Sequence, residues 1–475
     1  QLEQRVAARV PLTVRLRRRI AGAGLPLYLG AIATLVESAS LGLLSLAQGA
    51  DIGPWQWGLL AMLALLATAP LASTLVNWVV TLGVLPKRLP RLDFASGIPP
   101  ELATLVVVPC LLTHQRGIDD LLEALEVRFL GNRDAHIYFA LLTDLGDAPH
   151  ETLPGDNALL LHACEGIARL NTAYPPDARP DGEASGAGGD YPTANRFFLF
   201  HRPRLWNPCA HCWMGHERKR GKLADLNQLL REGQGYSDAF SLIVGDIAAL
   251  PKLRYVITLD TDTQLPRDAA RQFVGTMAHP LNRPVYDPER HLIRRGYGIL
   301  QPRMAAGLSA ANRSRYVQLY GGESGIDPYT RSVSDVYQDL FGEGSFIGKG
   351  IYDLDAFEQV LGGRFPDNRI LSHDLLEGCY ARAGLLSDVH LYEDAPVRYS
   401  LDVSRRERWI RGDWQIARWL WPGVDACRRR EATQPVRRTG LQLLYLRATE
   451  LEPHDTDEPQ TSFQPDPFQW PVPRK

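Results

Sequence analysis

Two long apolar stretches near the amino end constrain the fold more than any other feature of the sequence. Residues 21–50 contain one charged side chain, Glu37, and a second apolar run extends from Trp55 to Leu85. A helix needs about 20 apolar residues to cross the hydrocarbon core of a bilayer, so each stretch is long enough. Residues 21–86 are therefore predicted to form two transmembrane helices. A pair of buried helices in a soluble protein is the alternative.

Basic residues flank both stretches and predict the orientation of the hairpin. The connecting turn carries a single charge, Asp51, whereas the outer flanks carry arginines 15, 17, 18 and 19 on one side and Lys87, Arg88 and Arg91 on the other. Because lysine and arginine are enriched in cytoplasmic flanks, the basic lead (residues 1–20) and everything after residue 90 are predicted to be cytoplasmic. The prediction is a multi-pass protein of the inner (cytoplasmic) membrane.

Charge and cysteine content exclude some classes of partner and fold. The formal net charge of −2 gives no reason to expect a nucleic acid as a partner. Six scattered cysteines are too few for a disulfide scaffold and favour a reducing compartment. Cys209 and Cys212 form a C-x-x-C motif without a second cysteine pair, so free thiols are preferred over a zinc site.

From residue 102 onward, short β-rich runs alternate with amphipathic segments. This alternation is typical of an α/β fold with a mostly parallel sheet, in which ligands bind at the carboxyl ends of the strands. The predicted strands cover residues 104–110, 136–144, 196–202, 254–260 and 297–303, and the clearest helices cover 118–130, 156–171 and 267–279.

The fourth predicted strand ends in the sequence LDTDT, which fits two kinds of enzyme. In one kind, Asp260 is a nucleophile that accepts a phosphoryl group. In the other, Asp260 and Asp262 bind Mg²⁺ or Mn²⁺, which bridges the diphosphate of a nucleotide sugar. The phosphatases usually carry this motif on their first strand, so its late position favours the metal site. A pair of aspartates that caps the next helix is the alternative without a catalytic role.

Three further segments add weight to the metal interpretation. A basic cluster at residues 217–222 suits a diphosphate, although a solvated loop is the alternative. Asp374 begins an amphipathic stretch and is a candidate general base, or else a helix cap. Residues 405–421 interleave arginines with tryptophans, which suits sugar and diphosphate binding or a helix at the membrane surface. The segment at 341–350 has Gly350 where a phosphate loop requires Ser or Thr, so no ATP site is predicted.

The motifs WMGHERKRGKL, TLDTDTQLP, GEGSFIGKGIYD, ILSHDLLEG and RRERWIRGDWQ occur in this order along the chain. As a set they resemble the glycosyltransferase domain of cyclic β-1,2-glucan synthases, over roughly residues 95–421 and the two preceding apolar stretches. The resemblance implies a GT-A fold related to the processive synthases of cellulose and hyaluronan. It also implies inverting transfer of glucose from UDP-glucose to a growing β-1,2-glucan with a divalent metal.

The resemblance implies roles for particular residues. Asp260 and Asp262 match the metal and nucleotide motif, and Asp144 matches an aspartate near the uridine. Asp374 matches the base that deprotonates the acceptor hydroxyl, and Lys222 is expected near the donor phosphates. Arg408 and Trp409 match the end of the Q-x-x-R-W motif of processive synthases, in which Arg405 replaces the glutamine.

Two features depart from that family. Its members continue into further membrane helices and phosphorylase-like domains, whereas residues 422–475 form an atypical Pro-rich tail that is predicted to be disordered. A fragment or a shifted reading frame is therefore expected. The alternatives to a glucosyltransferase are a phosphatase with Asp260 as nucleophile and an inactive glucan-binding subunit of the membrane.

Overall fold

The computed structural model describes residues 24–49, 53–84, 86–175, 195–233, 238–307, 314–320, 336–394, 396 and 398–420. The predicted basic lead and the predicted Pro-rich tail lie outside these residues. The chain divides into two compact units. The described part of the first unit consists of residues 24–87 and 336–344, and that of the second consists of residues 88–320 and 345–420, with the gaps given above.

Helices and strands alternate along most of the second unit. The described helices are α1 (Gly24–Leu46), α2 (Pro54–Gly83), α3 (Gln115–Gly131), α4 (Asp156–Ala173), α5 (Arg218–Glu232), α6 (Ala269–Ala278), α7 (Arg315–Tyr320), α8 (Val336–Phe341), α9 (Leu354–Leu361), α10 (Asp374–Tyr380) and α11 (Tyr399–Ile416). The described strands are β1 (Thr104–Leu112), β2 (Ile137–Leu145), β3 (Phe197–His201), β4 (Leu205–Asn207), β5 (Cys212–Met214), β6 (Leu242–Val244), β7 (Tyr255–Thr258), β8 (Val285–Asp287), β9 (Leu292–Arg295), β10 (Ile299–Ala306), β11 (Gly350–Asp353) and β12 (Ala383–Glu393).

The first unit is built on two apolar helices that hold each other through buried polar pairs. The hydroxyl of Tyr28 on α1 donates to Oδ1 of Asn77 on α2 at 2.7 Å, and the hydroxyls of Ser40 and Thr68 lie 2.9 Å apart. Both helices are long and apolar enough to cross a membrane, and many of their leucines are exposed. The predicted pair of apolar helices is therefore confirmed.

A helix from much later in the sequence belongs to the same unit. Val336 on α8 is buried with Tyr28 and Val76, and the ring of Phe341 packs edge-on against Tyr28 at 5.8 Å between centroids. Oδ1 of Asp339 accepts a hydrogen bond of 2.7 Å from the backbone N–H of Lys87. This contact pairs an acidic side chain with the end of the apolar segment.

The second unit contains a mixed sheet of eight strands among the described residues, in the order β12-β10-β11-β7-β1-β2-β3-β6. The pairs β7-β1, β1-β2, β2-β3 and β10-β12 are parallel, whereas β11 is antiparallel to both of its neighbours and β6 is antiparallel to β3. The predicted α/β fold with a mostly parallel sheet is confirmed. The chain winds outward from β1 to β3 and then returns to the other side of β1 as β7, so the winding direction reverses between these two strands.

A single apolar core joins the sheet to three helices. Ile118, Leu125 and Phe129 of α3 are buried in it together with Ile167 of α4 and Phe273 of α6. The inward positions of each helix recur every three or four residues, as expected for helices that cover one face of a sheet. This packing fixes the central strands, and with them the residues at their carboxyl ends.

An extended segment straps the beginning of the second unit to α6. Arg91 donates to Thr276 and Gln272 and forms an ion pair of 3.0 Å with Asp388. The backbone N–H of Leu92 donates to the carbonyl of Gly275 at 2.9 Å. Arg91 is one of the basic residues that follow the second apolar helix in the sequence. Through these contacts it also attaches the extended segment to α6 and β12.

The strap depends on a glycine in α6. A methyl group on Gly275 would lie 2.5 Å from the carbonyl oxygen of Leu92, which is a backbone atom with little freedom to move. We expect Gly275→Ala to lower the free energy of unfolding by about 1–3 kcal/mol through this overlap. Thermal unfolding of the purified chain measures the effect. Gly131→Ala is the matched control, since its methyl group would meet neighbours only at 3.7 Å or more, and an equal loss in both variants would contradict the prediction.

Candidate active site

The LDTDT turn at the carboxyl end of β7 brings two aspartates to a third carboxylate. Asp260, Asp262 and Glu393 each present one oxygen within 4.8 Å of the others. The hydroxyl of Thr263 donates to Glu393 at 2.8 Å, and the backbone N–H of Gln264 donates to the carbonyl of Tyr392 at 2.8 Å. Glu393 lies about 130 residues further along the chain, at the end of β12, and the sequence analysis missed it.

Two ammonium groups balance this acidic cluster. Nζ of Lys219 lies 2.6 Å from Oδ1 of Asp260, and Nζ of Lys349 lies 3.2 Å from Oδ2 of the same carboxylate and also pairs with Glu393. Burial tends to raise the pKa of Asp260, but the two lysines outweigh it and hold this pKa below its ordinary value. The pKa of Asp262 is raised by desolvation and by the negative charge of Glu393.

The donor set of the acidic cluster fits a hard divalent cation. Three carboxylate oxygens match the preference of Mg²⁺ and Mn²⁺ for oxygen ligands. Burial is the largest cause of the raised pKa of Asp262, and the charges of Glu393 and Asp260 add to it; a cation would relieve this part of the repulsion. The ammonium of Lys349 contacts two of the three carboxylates, so it would have to share them with the cation.

Asp144 is the centre of a second, deeply buried charge cluster at the end of β2. Its side chain is 3% exposed and receives two hydrogen bonds from Arg202, at 3.0 and 2.9 Å, while Nζ of Lys222 lies at 3.1 Å. Burial alone would raise the pKa of Asp144, but Arg202 and Lys222 lower it overall. The carboxylate is therefore held in its ionised form.

The predicted phosphate-binding lysine, Lys222, is committed to this buried cluster. Its ammonium also donates to the carbonyl of Cys110 at 2.9 Å, and the residue is 3% exposed. Burial lowers the pKa of Lys222 although Asp144 opposes this effect. The cations that lie beside Asp260 are Lys219, from the same basic motif, and Lys349.

Asp374 lies at the first turn of α10, against the loop that precedes β11. Gly348 has a positive φ of 81°, and a methyl group there would lie 2.8 Å from Oδ1 of Asp374. The carbonyl of Gly348 accepts a hydrogen bond of 2.9 Å from Lys219, the lysine that pairs with Asp260. The structure therefore connects the LDTDT turn to the predicted base through one lysine and one glycine.

A buried histidine and a glutamate accompany the predicted base. Nδ1 of His373 lies 2.9 Å from Oε1 of Glu377 and 3.4 Å from Oδ1 of Asp374. Burial raises the pKa of Asp374, although the charges of His373 and Lys219 oppose the rise. Burial would lower the pKa of His373, but the carboxylates of Glu377 and Asp374 raise it overall.

Helix α11 presents Arg405, rather than Arg408, to the acidic cluster. The guanidinium of Arg405 stacks over the ring of Trp409 at 4.6 Å and approaches Oε2 of Glu393 at 4.0 Å. Arg408 is exposed and forms no ion pair with the described acidic residues. The helix is docked near the base by Gln415, whose side chain accepts a hydrogen bond of 2.9 Å from the backbone of Leu371.

The C-x-x-C motif lies in the β4-β5 hairpin. Cys209 is exposed and Cys212 is half-buried, and both are free thiols. Oδ1 of Asn207 accepts hydrogen bonds from the backbone of Cys209 and Ala210, which fixes the turn of the hairpin. Three residues after Cys212, Gly215 packs so closely that a methyl group there would lie 2.2 Å from Asp144.

Comparison with known proteins identifies a relative. No protein-family model matches the chain. It is 40% identical over 431 residues to the cyclic β-(1,2)-glucan synthase NdvB of Rhizobium meliloti (strain 1021), which covers 90% of this chain. The chain is a relative of one segment of this synthase. The predicted resemblance to cyclic β-1,2-glucan synthases is confirmed. The chain spans 14% of the length of the synthase.

The buried ion pair between Arg202 and Asp144 is expected to contribute to the stability of the chain. Removing one partner of a buried ion pair costs about 3–5 kcal/mol when the other charge is left without a partner. Lys222 still pairs with Asp144 in Arg202→Met, so we expect the unfolding free energy at neutral pH to fall by about 3 kcal/mol, the lower end of this range. Because folding depresses the pKa of Asp144, its stabilising effect is complete above its unfolded pKa of roughly 3.9 and is lost as the pH falls through its folded pKa.

Thermal and denaturant unfolding at pH 7 and at acidic pH measure this difference. The loss in Arg202→Met is expected to shrink on acidification. Arg231→Met is the control, because its ion pair with Asp355 at 3.4 Å is exposed to solvent and is worth about 1 kcal/mol or less. Equal losses in the two variants, or a pH-independent loss in Arg202→Met, would contradict the prediction.

Proposed function

We propose that the chain is a membrane-bound, metal-dependent, inverting glucosyltransferase that transfers glucose from UDP-glucose to a growing β-1,2-glucan. The observation that carries the proposal is the link from Asp260 through Lys219 and Gly348 to Asp374. It joins a carboxylate cluster suited to a metal–diphosphate to a half-buried carboxylate suited to act as a base. The relation to a glucan synthase supports the choice of reaction.

The fold supports a GT-A type of nucleotide-sugar site. In open α/β sheets, ligands bind at the carboxyl ends of strands where the winding direction reverses. Here the reversal lies between β1 and β7, and the LDTDT turn follows β7 directly. Asp144 lies near the end of β2, the strand that pairs with β1. This position supports a role for Asp144 near the uridine.

The acidic cluster would hold the metal ion, and the nearby cations would bind the donor. Asp260, Asp262 and Glu393 are the proposed ligands of Mg²⁺ or Mn²⁺, which when bound would neutralise negative charge on the diphosphate leaving group. Lys219 and Lys349 lie beside these ligands and are available to the phosphate oxygens. We assign Lys222 an indirect role, because it orients Asp144.

Asp374 is the proposed general base. The 2-hydroxyl oxygen of the acceptor sugar attacks the anomeric carbon of glucose while Asp374 accepts the hydroxyl proton. The bond from the anomeric carbon to the phosphate oxygen breaks, and its electron pair leaves with UDP. A single displacement inverts the α-linked donor to a β-linkage. The raised pKa of Asp374 makes it a stronger base than an ordinary aspartate.

The acceptor side of the site is proposed to include α11. Trp409 offers an aromatic face on which a sugar ring can stack. The guanidinium of Arg405 lies over the indole ring of Trp409 and holds this ring in place. Arg405 takes the place of the glutamine in the related motif and points toward Glu393. Arg408 is proposed to contact the acceptor or the membrane surface from its exposed position.

The proposed location of the chain is a membrane. The two apolar helices support membrane association. We propose that they form a multi-pass anchor in the inner membrane with the catalytic unit in the cytoplasm, where UDP-glucose is made. The phosphatase alternative has less support, because the relative that this chain matches is a glucan synthase.

The reaction is tested with membranes that contain the full chain. Labelled UDP-glucose with Mn²⁺ or Mg²⁺ is expected to give a β-1,2-linked polymer, identified by linkage analysis. Asp374→Asn is expected to reduce incorporation by about 10²–10⁴-fold, because the base contributes that much to the rate, while UDP binding is retained. Asp355→Asn, at an exposed ion pair on α9, is the control and is expected to retain activity.

Other results distinguish the alternatives. No incorporation by the wild type, together with UDP binding in calorimetry, would support an inactive glucan-binding subunit. A phosphoryl adduct trapped on Asp260, with hydrolysis of a phosphomonoester, would support the phosphatase. Incorporation that is unchanged in Asp374→Asn would remove this residue as the base.

The pH dependence of the reaction tests the environment of the base. Asp374 must be deprotonated to act, so kcat/KM is expected to rise with pH through its raised pKa. The positive charge of His373 lowers the pKa of Asp374. His373→Gln removes this charge and is therefore expected to move the acid limb to higher pH. His162→Gln, at a surface pair with Asp119, is the control, and a shift toward lower pH in His373→Gln would contradict the assignment.

A further inference from the structure

A buried arginine far from the predicted motifs holds the backbone of the LDTDT turn. Arg128 on α3 is 4% exposed and precedes Asp260 by 132 residues. Its Nη2 donates to the carbonyls of Thr261 and Thr263, each at 2.8 Å, and to that of Asp260 at 3.3 Å. Its Nε donates to Thr263 at 3.1 Å. One guanidinium therefore gathers three carbonyls of the turn that carries both aspartates.

The turn has left the sheet, since β7 ends at Thr258. The carbonyl of Asp260 also accepts from the backbone N–H of Thr263 at 3.2 Å, and Arg128 supplies the hydrogen bonds to the carbonyls of Thr261 and Thr263. A buried acceptor without a hydrogen bond costs about 1–3 kcal/mol. Arginine supplies several donors in one rigid plane, whereas lysine would supply a single point of contact. The arrangement therefore fixes the direction of the turn as well as its stability.

The turn is clamped from two sides. Asn132, one helical turn after Arg128, donates to the carbonyl of Leu265 at 3.4 Å and accepts from the backbone of Ala270 at 3.0 Å. On the opposite side, Thr263 and the backbone of Gln264 bind the end of β12, which carries Glu393. Burial lowers the pKa of Arg128 to about 10, so the guanidinium remains charged at neutral pH.

We propose that Arg128 is a positioning residue that sets the backbone of residues 260–263 so that Asp260 and Asp262 meet Glu393 around one divalent cation. The inference rests on the metal-binding part of the proposed function. Residues that orient metal ligands from behind typically change metal affinity by about 10–100-fold when they are replaced. Arg128 acts through the backbone and does not contact the cation itself.

The test measures metal binding and local backbone protection in the purified full chain. Mn²⁺ binding is followed by the electron paramagnetic resonance of free Mn²⁺, with and without UDP. Hydrogen exchange reports the amides of residues 259–265. We expect Arg128→Met to raise the Kd for Mn²⁺ by about 10–100-fold and to speed exchange in this segment. Arg128→Lys is expected to give a smaller change and serves if Arg128→Met does not fold.

The matched control is a second buried arginine that holds a backbone carbonyl away from the turn. Arg196, which precedes β3 and is 7% exposed, donates to the carbonyl of Ala135 at 2.6 Å. Arg196→Met is expected to lose stability but to retain the wild-type Kd for Mn²⁺ and slow exchange at residues 259–265.

The possible results separate the inference from the proposed function. Wild-type Mn²⁺ affinity and wild-type exchange in the Arg128 variants would overturn the inference alone, as would an equal loss of affinity in Arg196→Met. A wild-type chain that binds Mn²⁺ but makes no glucan would remove the proposed reaction and leave the inference standing. A wild-type chain that binds no Mn²⁺ would remove both the metal site and the inference.

Discussion

The ion pair between Lys219 and Asp260 is the contact on which the arrangement of the site depends. The ammonium of Lys219 also donates to the carbonyl of Gly348, and Gly348 packs against Asp374. The side chain of Lys219 therefore joins α5, the turn after β7 and the loop before β11, and α10 packs against that loop through Asp374. Without this positive charge, Asp260 would keep Lys349 as its partner, but the hydrogen-bonded link to the loop beside Asp374 would be lost.

Negative and positive side chains alternate across the site, and this pattern explains the chemistry of the site better than the net charge of the chain does. Asp260, Asp262 and Glu393 are balanced by Lys219 and Lys349, and Asp144 is balanced separately by Arg202 and Lys222. Buried charges persist in folded proteins when they are paired. Such a site can accept a cation and a polyanion together, because each compensates charge that the other introduces. The overall charge of the chain, −2, conceals this local arrangement.

The LDTDT motif has a different place in the sheet from the one that its position in the sequence suggests. In the sequence the motif comes late, after three predicted strands, and this position was the main argument against a phosphatase. In the sheet, β7 lies directly beside β1, at the point where the winding reverses. The motif is therefore late in the chain but central in the fold. Asp144 reaches the same edge because β1 and β2 are parallel and in register, with Leu111 opposite Asp144.

The sequence by itself determined the elements whose signal is local. The length of the apolar stretches predicted the two helices of the first unit, and short β-rich runs predicted β1, β2, β3, β7 and β10 within a few residues of their observed ends. The aspartates of the site were also found from the sequence, because each lies at or just beyond the end of a regular element. Their proposed roles remain predictions that the experiments above address.

Only the tertiary structure decided which distant residues meet these aspartates. Glu393 and Arg128 lie in segments whose local pattern gives no sign of a site, whereas Lys349 lies in the GEGSFIGKGIYD motif, which by itself gives that lysine no role. All three reach the site because strands and helices far apart in sequence are neighbours in the fold. The structure also assigned Lys222 to the buried Asp144 and brought Arg405 rather than Arg408 to the cluster. Hydrophobic periodicity is a property of short segments, whereas charge pairing depends on three-dimensional proximity, which this sequence alone does not encode in any local pattern.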